Sequence, residues 1–326
     1  MSSYLGRTKN DADYGLGNVT INCDSLGLIT EGELTQRIVE VFEAPGYVPP
    51  RLPAVATELL ALSNKPDVDF DQLEALLERD ATLAGEVLSL CKSAAYDRGG
   101  QISNLRDALV RIGLAKLGEV VMQAAMSARV FRSKGYKACM EALQEHCRAT
   151  AHLARFVSQH TALADDRAFL CGLMHDVGIA GILIVLGDAQ RGEQPPELAT
   201  LWPAIHNAHP LAGARMIELW ELPDEIKLAV SAHHHVCVEG FDHPLAAVVC
   251  LAETLAMEVG MAFVPPTSED SGKPGLVEAT LIESCRIDEQ DASTIERAKK
   301  ALQLGASEYE QIRTAARNWA ENHNAS

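Results

Sequence analysis

An all-helical protein is predicted by three observations. From Glu31 onward the apolar residues recur at the three-and-four spacing of a helix face, as in Leu143, Cys147, Ala151, Ala154 and Val157. Proline, glycine and aspartate punctuate these blocks at intervals that suit short helices and their turns. No segment alternates apolar and polar residues for long enough to read as a strand.

With 326 residues, 47% of them hydrophobic, the chain can fill one large core or two smaller ones. Its eight cysteines are dispersed, with no C-x-x-C pair, and most lie in apolar helical runs. That argues against a disulfide framework or zinc ribbon and for small buried hydrophobes. The first ten residues lack the apolar stretch of a secretory signal, and the apolar run around Gly178 to Gly187 is too short to cross a bilayer. A cytoplasmic protein without a membrane partner is expected. A net charge of -17 lacks the clustered basic surface that extended nucleic acid needs, but a small phosphorylated ligand requires only one or two cations and stays open.

Taken in order, residues 1–30 read as a loose leader rich in Gly, Asn, Asp and Ser. Pro53-Ala54 opens a helix to Leu62, the Asp69-x-x-Gln72 pattern caps a second, and Asp80 caps a third carrying Leu83, Val87, Leu88 and Leu90. Ser103 is expected to cap Leu105 to Ile112; after a break at Gly113 a longer helix runs to about Phe131. Met140 to Val157 forms the next amphipathic helix, and Phe169 to Met174 a buried-looking one that ends on His175-Asp176. Helices are expected at Pro210 to Trp220, Pro223 to His235 and Pro244 to Val259. Residues 264–275, with three prolines, read as a linker, and 276–326 as a polar helical extension in which a solvated surface or a homo-oligomer contact is the plainest role.

The strongest local signal is Leu173-Met174-His175-Asp176-Val177-Gly178. Two polar residues at the end of a buried helix need partners, because an unpaired buried polar group costs about several kcal/mol. A metal ion is one such partner, and other ligand types are at hand. His146 lies on the inward stripe of its helix, His209 is read at a helix start, His233-His234-His235 close a helix, and Glu253 sits inside an apolar one. Imidazoles and carboxylates together suit iron, manganese, zinc or nickel. Neighbouring helical residues point about 100° apart, so His233 and His234 suit two adjacent ions better than one.

The set His146, His175-Asp176, His209, His233-His234 and Glu253 resembles the ligand pattern of the HD-domain metal-dependent phosphohydrolases, a superfamily that includes the HD-GYP enzymes. Within it the chain is most similar to the HDOD domains of bacterial signalling proteins: Pro53-Ala54-Val55, Arg79-Asp80-Ala81-Thr82-Leu83-Ala84, Leu105-Arg106-Asp107-Ala108-Leu109 and Trp220-Glu221-Leu222-Pro223-Asp224-Glu225-Ile226 all fit. The likeness covers about Val48 to Gly260. It implies a multi-helix HD-type bundle (136–263) preceded by an N-terminal helical subdomain (31–135).

For the catalytic relatives the resemblance implies one or two divalent ions that polarise a phosphoryl group, with Asp176 as the bridging, catalytic carboxylate and the histidines and Glu253 completing the shells. For HDOD domains it implies a regulatory module acting through contacts with a signalling partner that the sequence does not identify. The first expectation here is that regulatory module with a metal site. The alternative is a phosphohydrolase acting on a nucleotide or cyclic dinucleotide. Three positions depart from the family patterns: Ile179 stands where the phosphodiesterase branch has lysine, Glu253 where aspartate is usual, and Lys92-Ser93-Ala94 where Asn-Ser-Ala is usual.

The remaining histidines have blander readings. His152 and His160 are ordinary helix-face residues, and His235 and His243 end-of-helix or loop residues. His206, one turn before His209, could chelate with it but brings no third local ligand and stays outside the set. Trp202 and Trp220 read as core or interface aromatics. No receiver domain, cyclase or DNA-binding helix-turn-helix is apparent.

Overall fold

A computed structural model describes residues 30–63, 69–93, 96, 102, 104–133, 135–163, 165, 167–188, 197–263 and 289–324. The linker at 264–275 and all of the leader but Thr30 lie outside the described residues.

The first helix, α1 (Glu31–Glu43), opens on a reciprocal cap: Thr30 Oγ1 accepts from the Glu33 amide, and the Thr30 amide donates to Glu33 Oε2. Its inward residues Leu34, Ile38, Val41 and Phe42 follow helical spacing. Then come α2 (Ala54–Ser63), α3 (Phe70–Leu77), α4 (Ala81–Lys92), α5 (Leu105–Ile112) and α6 (Leu114–Arg129). Asp69 and Asp80 cap α3 and α4 as the sequence indicates. The cap of α5 is Asn104, not Ser103: its side chain accepts from the Asp107 amide at 2.8 Å. Asn104 immediately precedes the helix and so holds the capping position.

The larger bundle follows: α7 (Lys137–Gln159), α8 (Ala168–Met174), α9 (Val177–Asp188), α10 (Leu198–Leu219), α11 (Asp224–Ala232) and α12 (Pro244–Glu258). Between α11 and α12 a two-residue hairpin, β1 (Cys237–Val238) with antiparallel β2 (Phe241–Asp242), is the strand structure among the described residues. Last come α13 (Glu289–Ala301) and α14 (Ala306–Asn324).

Apolar burial divides this set into two clusters. Residues of α2 to α5 and one face of α6 form the smaller. The larger joins α7 to α12 and α1, the far face of α6, α13 and α14. The segment 31–135 is thus shared: α1 packs on α10, while α2 to α6 pack on one another. Trp220 ties the two regions, its indole N–H donating to the Pro50 carbonyl at 2.8 Å.

The helix expected from Pro210 begins twelve residues earlier, at Leu198, and carries both Pro203 and Pro210 inside it. A proline lacks the N–H that a helix interior uses, which is why Pro210 reads as a boundary; how α10 accommodates it emerges at the centre of the site. The apolar run is also longer than the sequence suggests. Ala168–Gly187 would pass for a membrane span by length and composition, yet it is wholly buried inside the protein and broken by the turn at His175-Asp176.

Two glycines set how closely the site's helices meet. A Cβ at Gly172 would stand 2.8 Å from the Thr150 carbonyl oxygen, so its absence lets α8 lie against the backbone of α7. A Cβ at Gly178 would overlap the His209 carbonyl and come within 2.6 Å of the Gly213 nitrogen; without it, the start of α9 rests on the backbone of α10.

Candidate metal centre

Asp176 immediately precedes α9, where the positive end of the helix dipole favours a carboxylate. Its two oxygens face different histidines. Oδ2 lies 3.3 Å from His175 Nε2 and 3.5 Å from His146 Nε2. Oδ1 lies 3.2 Å from His209 Nε2 and 3.8 Å from His233 Nε2. His146 comes from the middle of α7, His175 from the end of α8, His209 from the middle of α10 and His233 from the end of α11, and all four are buried. One carboxylate therefore stands between two histidine pairs from separate helices.

In each of these imidazoles the other nitrogen is committed to a backbone carbonyl. His146 Nδ1 donates to Met261 at 2.8 Å, His175 Nδ1 to Gly172 at 2.8 Å, His209 Nδ1 to His206 at 2.7 Å and His233 Nδ1 to Val230 at 2.6 Å. The His206 carbonyl is the acceptor that a residue four places on would claim in an unbroken helix, and that residue is Pro210. Proline thus leaves an acceptor that His209 takes up. Such backbone bonds fix each ring's orientation and turn Nε2 toward the centre, where loss of its proton exposes a lone pair to a metal.

The consequence is a set of nitrogens that face one another. His209 Nε2 lies 3.2 Å from both His233 Nε2 and His234 Nε2, and His146 Nε2 lies 3.2 Å from His175 Nε2. With both Nδ1 protons held by carbonyls, the Nε2 atoms of His209 and His233 would face each other as two acceptors once they carry no proton, an arrangement satisfied by a cation between them. Borderline divalent ions take this mixture of imidazole and carboxylate. The donor set fits a metal, and four groups of three have ligand atoms close enough to share one: His146, His175 and Glu253; Asp176, His209 and His233; His233, His234 and Glu253; His206, His209 and His234.

Protonation follows from burial and charge. Burial would lower His175, but the Asp176 carboxylate beside it raises it to about 9. Burial would raise Asp176, yet His175 and His209 hold it well below the usual carboxylate range. Burial, reinforced by His175, lowers His146. Burial with the neighbouring imidazoles keeps His233 and His234 well below ordinary histidine. Glu253 is raised, mainly by burial, although a quarter of its side chain reaches solvent.

All seven residues marked by the sequence meet here. His209 lies in mid-helix instead of at a helix start, and Glu253 joins from α12 with His234 Nδ1 3.9 Å from its Oε2. His206 belongs with them too, its ring centroid 4.9 Å from that of His234 and 5.6 Å from that of His209. The i, i+3 spacing to His209 is legible in the sequence; the third ligand, His234, comes from α11 and is local only in the fold. His152 is more than a helix-face residue: it is buried among Tyr96, Phe169 and Trp319 of α14, and Arg155 bonds its Nδ1 at 3.0 Å. His243 caps α12, its Nδ1 accepting from the Ala246 amide.

Residues 50–236 match the family model of the HDOD domain. An uncharacterized protein of Treponema pallidum (strain Nichols) is 25% identical over 200 residues, and this chain spans only 38% of that protein's length. Among solved structures, an HDOD domain protein of unknown function from Geobacter sulfurreducens superposes with a TM-score of 0.60 at 23% identity, covering 87% of this chain and 98% of its own. A protein of Shewanella amazonensis SB2B, provisionally named a metal-dependent phosphohydrolase, gives 0.56 at 17% identity over 88% and 99%. One of Marinobacter aquaeolei VT8, provisionally named a signal transduction protein, gives 0.59 at 18% over 94% and 67%. At these identities the structures share the fold.

Proposed function

Because this chain belongs to the HDOD domain family, we propose that it is a signalling module that works through contacts with a partner protein and is organised round a two-ion metal centre. The observation that carries this is the environment of Asp176. One oxygen faces His146 and His175, the other His209 and His233, as a carboxylate bridging two ions would. Glu253 and His234 are the further ligands at hand. Iron, manganese, zinc and nickel are the metals that suit the set.

The ions would supply positive charge and Lewis acidity to whatever oxygen reached them. The chain's own part is to orient the imidazoles through their backbone bonds and to hold the Asp176 carboxylate ionised. What favours a regulatory over a hydrolytic role is Ile179, in the first turn of α9 and 2% exposed, an apolar side chain where the hydrolytic relatives' pattern has a cation. A developing phosphoryl charge would lose that stabilisation. The name of the Shewanella relative keeps phosphohydrolysis as the second reading, for which a nucleotide or cyclic dinucleotide is the substrate class we propose.

Elemental analysis of protein purified without chelators tests the centre, and a panel of phosphodiesters with iron or manganese under reducing conditions tests the role. About two ions per chain, lost in Asp176→Ala, with turnover no greater than in that variant, is the expected result. Turnover abolished by Asp176→Ala would replace the regulatory role with the hydrolytic one.

A further inference from the structure

The candidate ligand groups overlap in a way that the donor count resolves. His209 belongs both to a group with Asp176 and His233 and to one with His206 and His234. Its Nδ1 proton is donated to the His206 carbonyl, so its imidazole has one lone pair, at Nε2. One lone pair serves one ion. A separate third ion held through His209 is therefore excluded while that tautomer stands, and the two groups collapse onto a single position on the outer side of Asp176.

We propose that His206 is an additional protein ligand of this outer ion, completing a set of Asp176 Oδ1, His209, His233, His234 and His206. Against the expectation from their adjacency, His233 and His234 both bring Nε2 to 3.2 Å from His209 Nε2 and so serve one ion. This rests on the two-ion reading above. His206 lies one turn before His209 on α10, so the two project from one face of the helix. Its ligand atom lies within 4.8 Å of those of His209 and His234, and its side chain is exposed, next to Trp202, with ring centroids 6.4 Å apart.

The proposal has a chemical consequence. Catalytic zinc centres hold the ion with three protein ligands and keep a position for water or substrate, whereas structural ones close the shell. Five protein donors on the outer ion, four of them imidazoles, close it. The inner position has Asp176 Oδ2, His146, His175 and Glu253, two nitrogens and two carboxylates. The two ions thus sit in unequal settings, the outer favouring metals that prefer nitrogen and the inner tolerating those that prefer oxygen.

The test uses the full chain stripped of metal and titrated with Co2+, followed by calorimetry and by the visible absorption of the bound ion. Wild type should take up two ions. His206→Ala should still take up two, with the weaker site's dissociation constant raised at least about tenfold and the cobalt absorption changed in intensity and position as one nitrogen leaves. Asn207→Ala, altering the exposed neighbour that bonds Glu31, should match wild type and controls for disturbance of α10. Two ions bound with the same affinity and spectrum in His206→Ala would overturn the role of His206 and leave the two-ion centre standing. Three ions in wild type would overturn it too, and no uptake by wild type would overturn both.

Discussion

His209 Nδ1 donates to the carbonyl oxygen of His206 at 2.7 Å, an acceptor left without its helical amide partner because residue 210 is proline and has no N–H to offer. A helix-breaking residue in mid-helix here serves the imidazole beside it.

Replacing Pro210 with alanine restores an amide that competes for that carbonyl. Proline in a helix interior costs about 3 kcal/mol relative to alanine, so the variant should melt no lower than wild type. The His209 tautomer loses its anchor, and affinity at the position facing Asp176 Oδ1 should fall by roughly 10- to 100-fold, as for other groups that orient a metal-binding histidine. Calorimetric titration with Zn2+ beside a thermal melt separates the two effects; unchanged affinity would show that the Nδ1 bond is not the orienting element.

Metal binding at pH 7 should release protons. His175 has its pKa raised to about 9 by Asp176 and therefore carries a proton on Nε2 at neutral pH in the metal-free protein. An ion displaces it. Titrations in buffers of different ionisation enthalpy should give about one proton released as the inner position fills, falling toward zero above pH 9. Asp176→Asn removes the largest raising cause, and the His175 resonance should then titrate lower than in wild type, with Glu253 and the Gly172 carbonyl still opposing burial.

The metal-free protein should be most stable near neutral pH. His175, raised in the folded state, contributes stability that is complete below about pH 6.5 and lost as pH climbs through about 9. His146, His233 and His234 are lowered, so unfolding takes up protons as pH falls below about 6.5, costing about 1.4 kcal/mol per pH unit for each group that stays neutral in the fold. Urea melts from pH 5 to 9.5 should give a maximum between these limits; a flat profile above pH 7 would mean that His175 is not protonated in the fold.

Gly178→Ala should be severely destabilising, by roughly 3 to 5 kcal/mol, since the new methyl would have to displace the backbone of α10 at His209. Gly85→Ala in α4, exposed and with nothing within 4 Å of the added carbon, should instead stabilise by about 0.5 to 1 kcal/mol. Chemical denaturation of the two variants tests the contrast. Equal effects would deny the α9–α10 contact its role.

Helical periodicity gave away most of the fold, because Leu34, Ile38, Val41 and Phe42 or Leu143 and Cys147 bury one face of an amphipathic helix, as their spacing requires. The seven site residues were legible for a different reason: histidines and carboxylates embedded in apolar sequence have few places to go, and together they resemble the HD-domain ligand pattern. Pro210 misled because its cost was judged from covalent structure alone, without the compensating bond from His209. His206 lacked a third ligand in the sequence because His234 reaches it from another helix, and the packing of α1 on α10 was hidden because local periodicity says which face is buried but not against what. The roles of Gly172 and Gly178 were equally out of reach, since a close backbone approach between helices distant in sequence leaves no local periodic trace.

The four buried imidazoles come from four different segments, α7, the end of α8, α10 and the end of α11, each pinned to backbone through Nδ1. Ions seated among them would act as a rivet through the bundle, and a helix could not slide without tearing a nitrogen from its metal. Loading and stripping the centre would then change the stiffness of the whole fold, a mechanical property that a partner docked far from any ion could sense.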